Sequence, residues 1–231
     1  MIRSLILLAA ASVFISSCSV SGPGVMNYNG GDTLVAQSLF TDHTATITEE
    51  HIKQVLDGHY NLPEKLRVAI VLVDNAPSAR YRWNEENHVK TRQAYLDLFT
   101  SCFSKSARVT KVAAIPSLLV DGRPTYQQVR EAAVRMQADI VVLYSITSDV
   151  YSKYKFLAKA DMKAFATTQL MIMDVRTGLI PFTAISTKDH TSQKQKEELN
   201  QTEAQNRIKN EAVLLTINDI GVRIGEFLGS K

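Results

Sequence analysis

The sequence predicts an α/β (α+β) fold: one domain on a mixed sheet, with element order β-α-β-α-β-β-β-α, following a separate N-terminal segment. Three observations predict it. Leu66–Val73 and Asp139–Ile146 are continuous apolar runs rich in β-branched residues, the pattern of strands buried on both faces. Apolar residues between and after these runs recur at helical spacing. Residues 167–187 read as two further strands joined through Arg176-Thr177-Gly178, a short connection with glycine last, which is a hairpin signal. The length of 231 residues fits one domain with appendages, and a composition 45% apolar and 21% charged is that of a globular chain.

The elements follow in order. Thr48 opens a short helix over Glu49–Asp57, with two acids in its first turn and Gly58 as its stop. Leu66–Val73 is the first strand, ended by Asp74-Asn75-Ala76-Pro77. A helix is expected over Asn84–Phe103, with Val89, Gln93, Leu96 and Phe99 or Cys102 on its inner side. Arg108–Ile115 is the second strand, closed by Pro116. Thr125 caps the next helix, and Gln128 three residues on completes a capping box; Tyr126, Val129, Ala133 and Met136 form its buried side. The third strand is Asp139–Ile146, and two crossover helices between three strands predict a partly parallel sheet with right-handed connections. The hairpin strands Thr167–Val175 and Leu179–Thr187 come next, then a polar stretch over 188–203. A long final helix carries Val213, Ile217, Ile220, Ile224 and Phe227 as a stripe wide enough to lie across the sheet.

Residues 1–17 have the form of a signal peptide. Arg3 supplies a positive start, and Leu5–Ile15 is an apolar run broken only by Ser12, too short to span a bilayer. Ser16-Ser17 places small residues directly before Cys18, so Ile15 to Cys18 resembles a lipobox, with Ile15 where leucine is usual. Small residues let the backbone enter the processing peptidase, and the cysteine sulfur is the nucleophile that accepts a diacylglycerol. Residues 18–45, rich in Gly, Ser, Asn and Thr, are expected to be the lipidated N-terminus and flexible tether, and 46–231 the periplasmic domain. Resemblance to other lipoproteins, in which an Asp after the cysteine retains the chain at the inner membrane, places this one at the outer membrane, facing the periplasm. Lipidation consumes Cys18 and leaves Cys102 unpaired; its spacing from Leu98 and Phe99 puts it on a core-facing side as a small hydrophobe.

Signatures of known chemistry are sparse. Removing residues 1–17 removes Arg3 alone, leaving 25 bases against 23 acids, scattered along the chain. A nucleic-acid partner needs a concentrated basic stripe and is not expected. Phosphate-loop, dinucleotide, His-Glu-x-x-His and Cys-x-x-Cys patterns are lacking. The histidines, His43, His51, His59, His88 and His190, are not spaced as a zinc pair, so neither metal nor cofactor is expected. Asp74 stands at the end of a central strand and Asp149 shortly after another; converging carboxylates there could do acid–base work. The simpler reading of Asp74-Asn75 is an Asx turn.

Residues 151–166 carry a second kind of signal. Tyr151-Ser152-Lys153-Tyr154-Lys155 interleaves aromatics and bases, and Phe156, Ala158, Ala160, Met162, Ala164 and Ala166 alternate with polar residues, the period of a half-buried strand. Two readings stand. In one, residues 152–166 project as a contact surface, with Tyr151, Tyr154, Phe156 and Met162 touching a partner. In the other, Phe156–Ala166 is an extra strand of the same sheet, packed on the final helix.

The run Ala138-Asp139-Ile140-Val141-Val142-Leu143-Tyr144, and later Asp174-Val175-Arg176-Thr177-Gly178, resembles the rhombotarget lipoprotein family. The lipobox, the strand at Leu66–Val73, Ile115-Pro116 and the C-terminal helix share in that resemblance, which covers residues 64–228. The chain departs from the family in ending at Lys231 without a glycine-rich sorting segment. More distantly the same features are similar to the curli-secretion-channel lipoproteins and the N-terminal domain of the Tol-system periplasmic protein. The resemblance implies no enzymatic activity. It implies an envelope lipoprotein acting as a non-catalytic assembly or interaction module, with a protein partner or self-association; the alternative is a periplasmic hydrolase or transferase using Asp74 and Asp149. Cys18→Ser is expected to block acylation and leave the precursor unprocessed or the domain freely soluble. Mass spectrometry finding an unmodified mature N-terminus at another residue is the contrary result.

Overall fold

The computed structural model describes residues 52, 55–58, 60–73, 85–120, 124–153 and 161–229. The signal segment, Cys18 and the tether, most of the expected helix at 49–57, Asp74, Tyr154 and Phe156 lie outside the described residues; Val55–Asp57 are helical. The elements are β1 (Leu66–Leu72), α1 (Glu85–Ser104), β2 (Val109–Ala114), α2 (Tyr126–Arg135), β3 (Ile140–Lys153), β4 (Asp161–Asp174), β5 (Phe182–Gln193) and α3 (Gln201–Gly229). They form one five-stranded mixed sheet in the order β2-β1-β3-β4-β5, and the expected element order holds. β1 runs parallel to both β2 and β3, whereas β3, β4 and β5 are successively antiparallel.

The double-sided burial expected of β1 follows from its place between two strands and two helical layers. Leu66, Val68 and Ile70 face α1 and α3, joining Ile140, Val142, Leu170 and Ile172 under Phe99, Phe103, Ile208, Ile217, Ile220 and Ile224. Ala69 and Val71 face the other way and join Val141, Leu143 and Met173 under Val129, Ala132 and Ala133 of α2. Burying each large aliphatic or aromatic side chain stabilises the fold by about 1.5–3 kcal/mol. The larger cluster sits between the sheet and α3, whose contacts run along both β4 and β5.

Local chemistry sets several boundaries. The Thr125 hydroxyl accepts from the Gln128 backbone N–H at 3.1 Å, and the Gln128 side chain accepts from the Thr125 N–H at 2.8 Å, closing the expected capping box of α2. Beyond the other end, Ala138 N–H donates to Ala133 and Gln137 N–H to Val134, with Gln137 at φ 59°. At the β4–β5 turn the Asp174 carboxylate accepts from the Thr177 N–H (2.7 Å) and hydroxyl (2.8 Å), while Gly178 N–H donates to the Asp174 carbonyl. Gly178 takes φ 77°, and a Cβ there would collide with the Tyr126 hydroxyl.

Two expectations are corrected. On α1 the buried residues are Tyr95, Phe99, Cys102 and Phe103, whereas Val89 is 61% exposed and Gln93 also faces solvent. Both sets obey three–four spacing; the choice falls to α3, where Asn210 accepts a bond from the Tyr95 hydroxyl at 2.8 Å and Gly221 lets the helix backbone close on Cys102. A Cβ on Gly221 would stand 2.6 Å from the Cys102 Sγ. For residues 152–166 both a projecting surface and an extra strand were expected, and residues 161–166 take the second form, correcting the first: β3 and β4 pair without interruption from Ile140↔Asp174 to Lys153↔Asp161. Met162, Ala164 and Ala166 are buried toward α3, and the alanines' small size lets the helix approach.

β5 is an edge strand, and α3 shields part of that edge. Arg223 donates to the Ile185 carbonyl at 3.2 Å and Arg207 to the Gln193 carbonyl at 2.9 Å. Arg207 also pairs with Glu198 (2.6 Å) and Glu211 (3.1 Å), fastening the 194–200 connection to the helix. Covering unpaired backbone groups in this way discourages edge-to-edge aggregation.

Gly178→Ala is expected to lower stability by about 1–2 kcal/mol from the left-handed backbone alone, with displacement of Tyr126 adding to it. Gly225→Ala, in a helix position with open space around it, is expected to raise stability by about 0.5–1 kcal/mol. Chemical denaturation of the two variants measures both signs.

Candidate functional site

The sheet's two faces differ beyond α2. Toward α1 and α3, β3–β5 are covered. On the opposite face, the far halves of β3, β4 and β5 present Thr147, Asp149 and Tyr151, then Lys163, Phe165 and Thr167, then Ile185, Thr187 and Asp189. Tyr151 is 55% exposed, Phe165 39% and Ile185 57%. The two aromatic rings meet edge-to-face at 5.9 Å, and the Lys163 ammonium lies 4.8 Å from the Phe165 centroid while pairing with Asp189 at 3.0 Å. Thr167 and Thr187 bond across the strands at 2.9 Å. The result is a patch of large apolar groups beside the Lys163–Asp189 ion pair. Three large apolar residues on adjacent strands of one face resemble the apolar centre and polar rim of a protein contact.

Of the expected contact residues, the structure places Tyr151 on this patch. Met162 is corrected: it is 1% exposed on the opposite face, held in the core by the alternation of β4. Phe165 and Ile185 were not singled out from the sequence, because each looks like one more apolar residue in a strand pattern. The signal available was parity. Phe165 is out of step with Met162, Ala164 and Ala166 and so must face away from them.

Among the described residues no catalytic set assembles around Asp149, and Asp74 lies outside them. Its carboxylate accepts from the adjacent Val150 N–H at 2.7 Å, and its cross-strand neighbour is Phe165. Cys102 is buried, and burial pushes its thiol above the usual value, which suits a packing role better than a nucleophile. Among the described residues no three His, Cys, Asp or Glu side chains converge as metal ligands would.

A second constellation lies at the other end of the sheet. Asp139 precedes β3 and Arg67 follows the first residue of β1. The Arg67 guanidinium donates to both Asp139 oxygens at 3.0 and 2.9 Å, and the Arg67 N–H adds a bond of 2.9 Å. These bonds hold the Asp139 carboxyl below its usual range. Tyr60 donates to Asp174 at 3.3 Å, and its own hydroxyl is pushed up to about 12 by burial and by that carboxylate. Arg130 of α2 donates to the carbonyls of Val175 (2.7 Å) and Arg176 (2.5 Å), and Tyr126 to that of Gly178 (2.7 Å). The Asp-x-x-Thr-Gly segment therefore works as a rigid turn braced by α2.

No family model and no curated protein matches the sequence. Among solved structures, the chain is similar to a hypothetical protein of Chlamydia trachomatis at 16% identity, covering 72% of this chain and 99% of that one, TM-score 0.40. A lipoprotein of Neisseria meningitidis is similar at 12% identity, over 67% and 97% of the two chains, TM-score 0.34. The PelC dodecamer of Paraburkholderia phytofirmans is similar at 12%, over 68% and 91%, TM-score 0.31. At these values the likeness concerns the general arrangement of elements, and bacterial lipoproteins are among the neighbours.

The Asp139 clamp yields a pH prediction. A carboxyl whose folded pKa is depressed contributes stability above the unfolded value of about 3.9 and loses it as pH falls through the lower folded value. Asp139→Ala is expected to cost about 1–3 kcal/mol at neutral pH by leaving the Arg67 donors unmatched. Its stability deficit should shrink below about pH 4, as the wild-type carboxyl also protonates. Urea titrations at pH 7 and pH 3 measure the change.

Proposed function

We propose that this chain is a lipid-anchored protein of the bacterial envelope, held in the outer membrane through acylated Cys18, with its domain acting in the periplasm as a non-catalytic protein-interaction module. The observation that carries the interaction reading is the open sheet face bearing Tyr151, Phe165 and Ile185. The anchoring reading is supported by the charged start, short apolar core and small residues before Cys18. The resemblance to the rhombotarget lipoproteins agrees with both. No described helix is long and apolar enough to cross a membrane.

The patch suits a protein partner, including a second copy of the chain. Its aromatic groups touch across neighbouring strands, so a partner surface can cover them together. Aromatic anchors buried in a contact carry a large share of its energy, while a charge pair such as Lys163–Asp189 helps to set orientation.

The test uses purified full-length lipoprotein in neutral detergent. Tyr151→Ser with Phe165→Ser is expected to weaken self-association or capture by a cross-linked envelope protein by tenfold or more, about 1.4 kcal/mol or more. The thermal midpoint should change little, because both side chains are largely solvent-facing. The opposite outcome is that Asp149→Asn abolishes the cellular phenotype at normal abundance while the double variant leaves it intact. That result favours the hydrolase or transferase reading.

A further inference from the structure

We infer that the groove between α2 and the β4–β5 turn binds the anionic headgroup of a phospholipid. The inference rests on the lipid-anchored reading, since it concerns how the anchored domain meets its membrane. The groove has a volume of about 850 Å³ and is lined by Arg67, Arg130, Arg176, Tyr126, Gln137 and Val134, among others.

Its charge is unevenly satisfied. Arg67 is neutralised by Asp139. Glu131, also in the lining, pairs with Arg135. Arg130 is pinned by two backbone carbonyls and makes no ion pair among the described residues; Arg176 makes none either, though its charge lies close enough to act on Asp139. The groove therefore sets three guanidinium groups against Asp139 and the Arg135-paired Glu131, with Arg130 immobilised by the hairpin carbonyls and Arg176 exposed beside it. Guanidinium groups with planar, multiple donors suit phosphate oxygens. Val134, Ala138 and Val175 add apolar wall beside them, which fits a ligand having an anionic group attached to a less polar body.

Gln137 is a second observation at the same place. Among the described residues it is the one non-glycine residue with positive φ, at the position after α2 where glycine normally ends a helix. Backbone cost retained at one point is a pointer to use of the side chain there. A glutamine puts an amide donor on the rim of the groove that glycine could not.

Position selects a lipid as the source of the phosphate. Tyr60 bonds Asp174, so the N-terminal part of the described domain, the part nearest Cys18 in sequence, lies against the turn that forms one wall of this groove. The 41 residues between Cys18 and Tyr60 could reach at most about 140 Å fully extended, so the covalent anchor by itself leaves the domain's orientation open. A headgroup held by Arg130 and Arg176 would turn this end to the bilayer and leave the far half of β3–β5 directed away from it.

Calorimetric titration of the full-length lipoprotein in neutral detergent tests the inference, using short-chain phosphatidylglycerol, short-chain phosphatidylcholine and inorganic phosphate as separate probes. Saturable phosphatidylglycerol binding is expected, weakening with added salt and falling by about tenfold in Arg176→Glu. The exposed Arg176 side chain makes no hydrogen bond or ion pair but acts on Asp139 through its charge, so the variant's thermal midpoint is measured alongside to separate lost binding from lost fold. Phosphatidylcholine and inorganic phosphate are expected to bind at least tenfold more weakly. Equal binding of the two lipids, binding unaffected by Arg176→Glu, or no binding overturns the site. Inorganic phosphate binding as tightly as phosphatidylglycerol overturns the lipid assignment in favour of a free phosphate ligand. The Tyr151→Ser, Phe165→Ser protein should bind phosphatidylglycerol normally, so failure of the interaction surface and failure of this site are separately visible.

Discussion

The sheet is much longer on one side than on the other, and among the described residues one helix alone matches the long side. β3 and β4 run for 14 residues each and β5 for 12, against seven and six for β1 and β2. Fourteen strand residues extend about 46 Å. The 29 residues of α3 extend about 43 Å, enough to cover the antiparallel half from end to end, whereas the ten residues of α2 extend about 15 Å. One face of the antiparallel half is therefore buried and the other is left largely open beyond α2. The apolar exposure at Tyr151, Phe165 and Ile185 follows from that mismatch.

The short side is braced differently. There the parallel strands lie between helices on both faces, and the strand ends are tied by polar contacts: the Asp139–Arg67 clamp, the Asp174 turn and the Arg130 bonds to the hairpin carbonyls. Such bonds are strong because a charged partner sits on one side of each. They have a chemical by-product. Arg130 satisfies carbonyls, which carry no net charge, so its positive charge stays available to the groove. One residue thus stiffens the turn and charges the surface beside it.

The long helix also manages the edge that its length creates. Arg207 and Arg223 reach past β5 to take outward carbonyls, while His190 and Lys188 on β5 pair with Glu211 and Asp219 of α3. Helix and edge strand are laced together by surface pairs that individually contribute little. Their placement along the strand matters more than their sum, since they obstruct addition of a further strand.

Much of this was determined locally, and the sequence alone carries it. Apolar runs at Leu66–Val73 and Asp139–Ile146 can satisfy their two buried faces only as inner strands. The capping box of Thr125 and Gln128 and the turn at Gly178 depend on residues three or four apart, so they are legible as written. Tertiary structure decided what depends on distance. The inner face of α1 was ambiguous because two sets of residues share helical spacing, and contact with Asn210 and Gly221 of α3 chose between them. Residues 161–166 have the same alternation whether they project or join the sheet; only pairing with β3 and burial under α3 assigns their faces. The groove is the extreme case. Arg67, Arg130 and Arg176 are separated by 63 and 46 positions and belong to no motif, so nothing short of the folded chain brings their charges together.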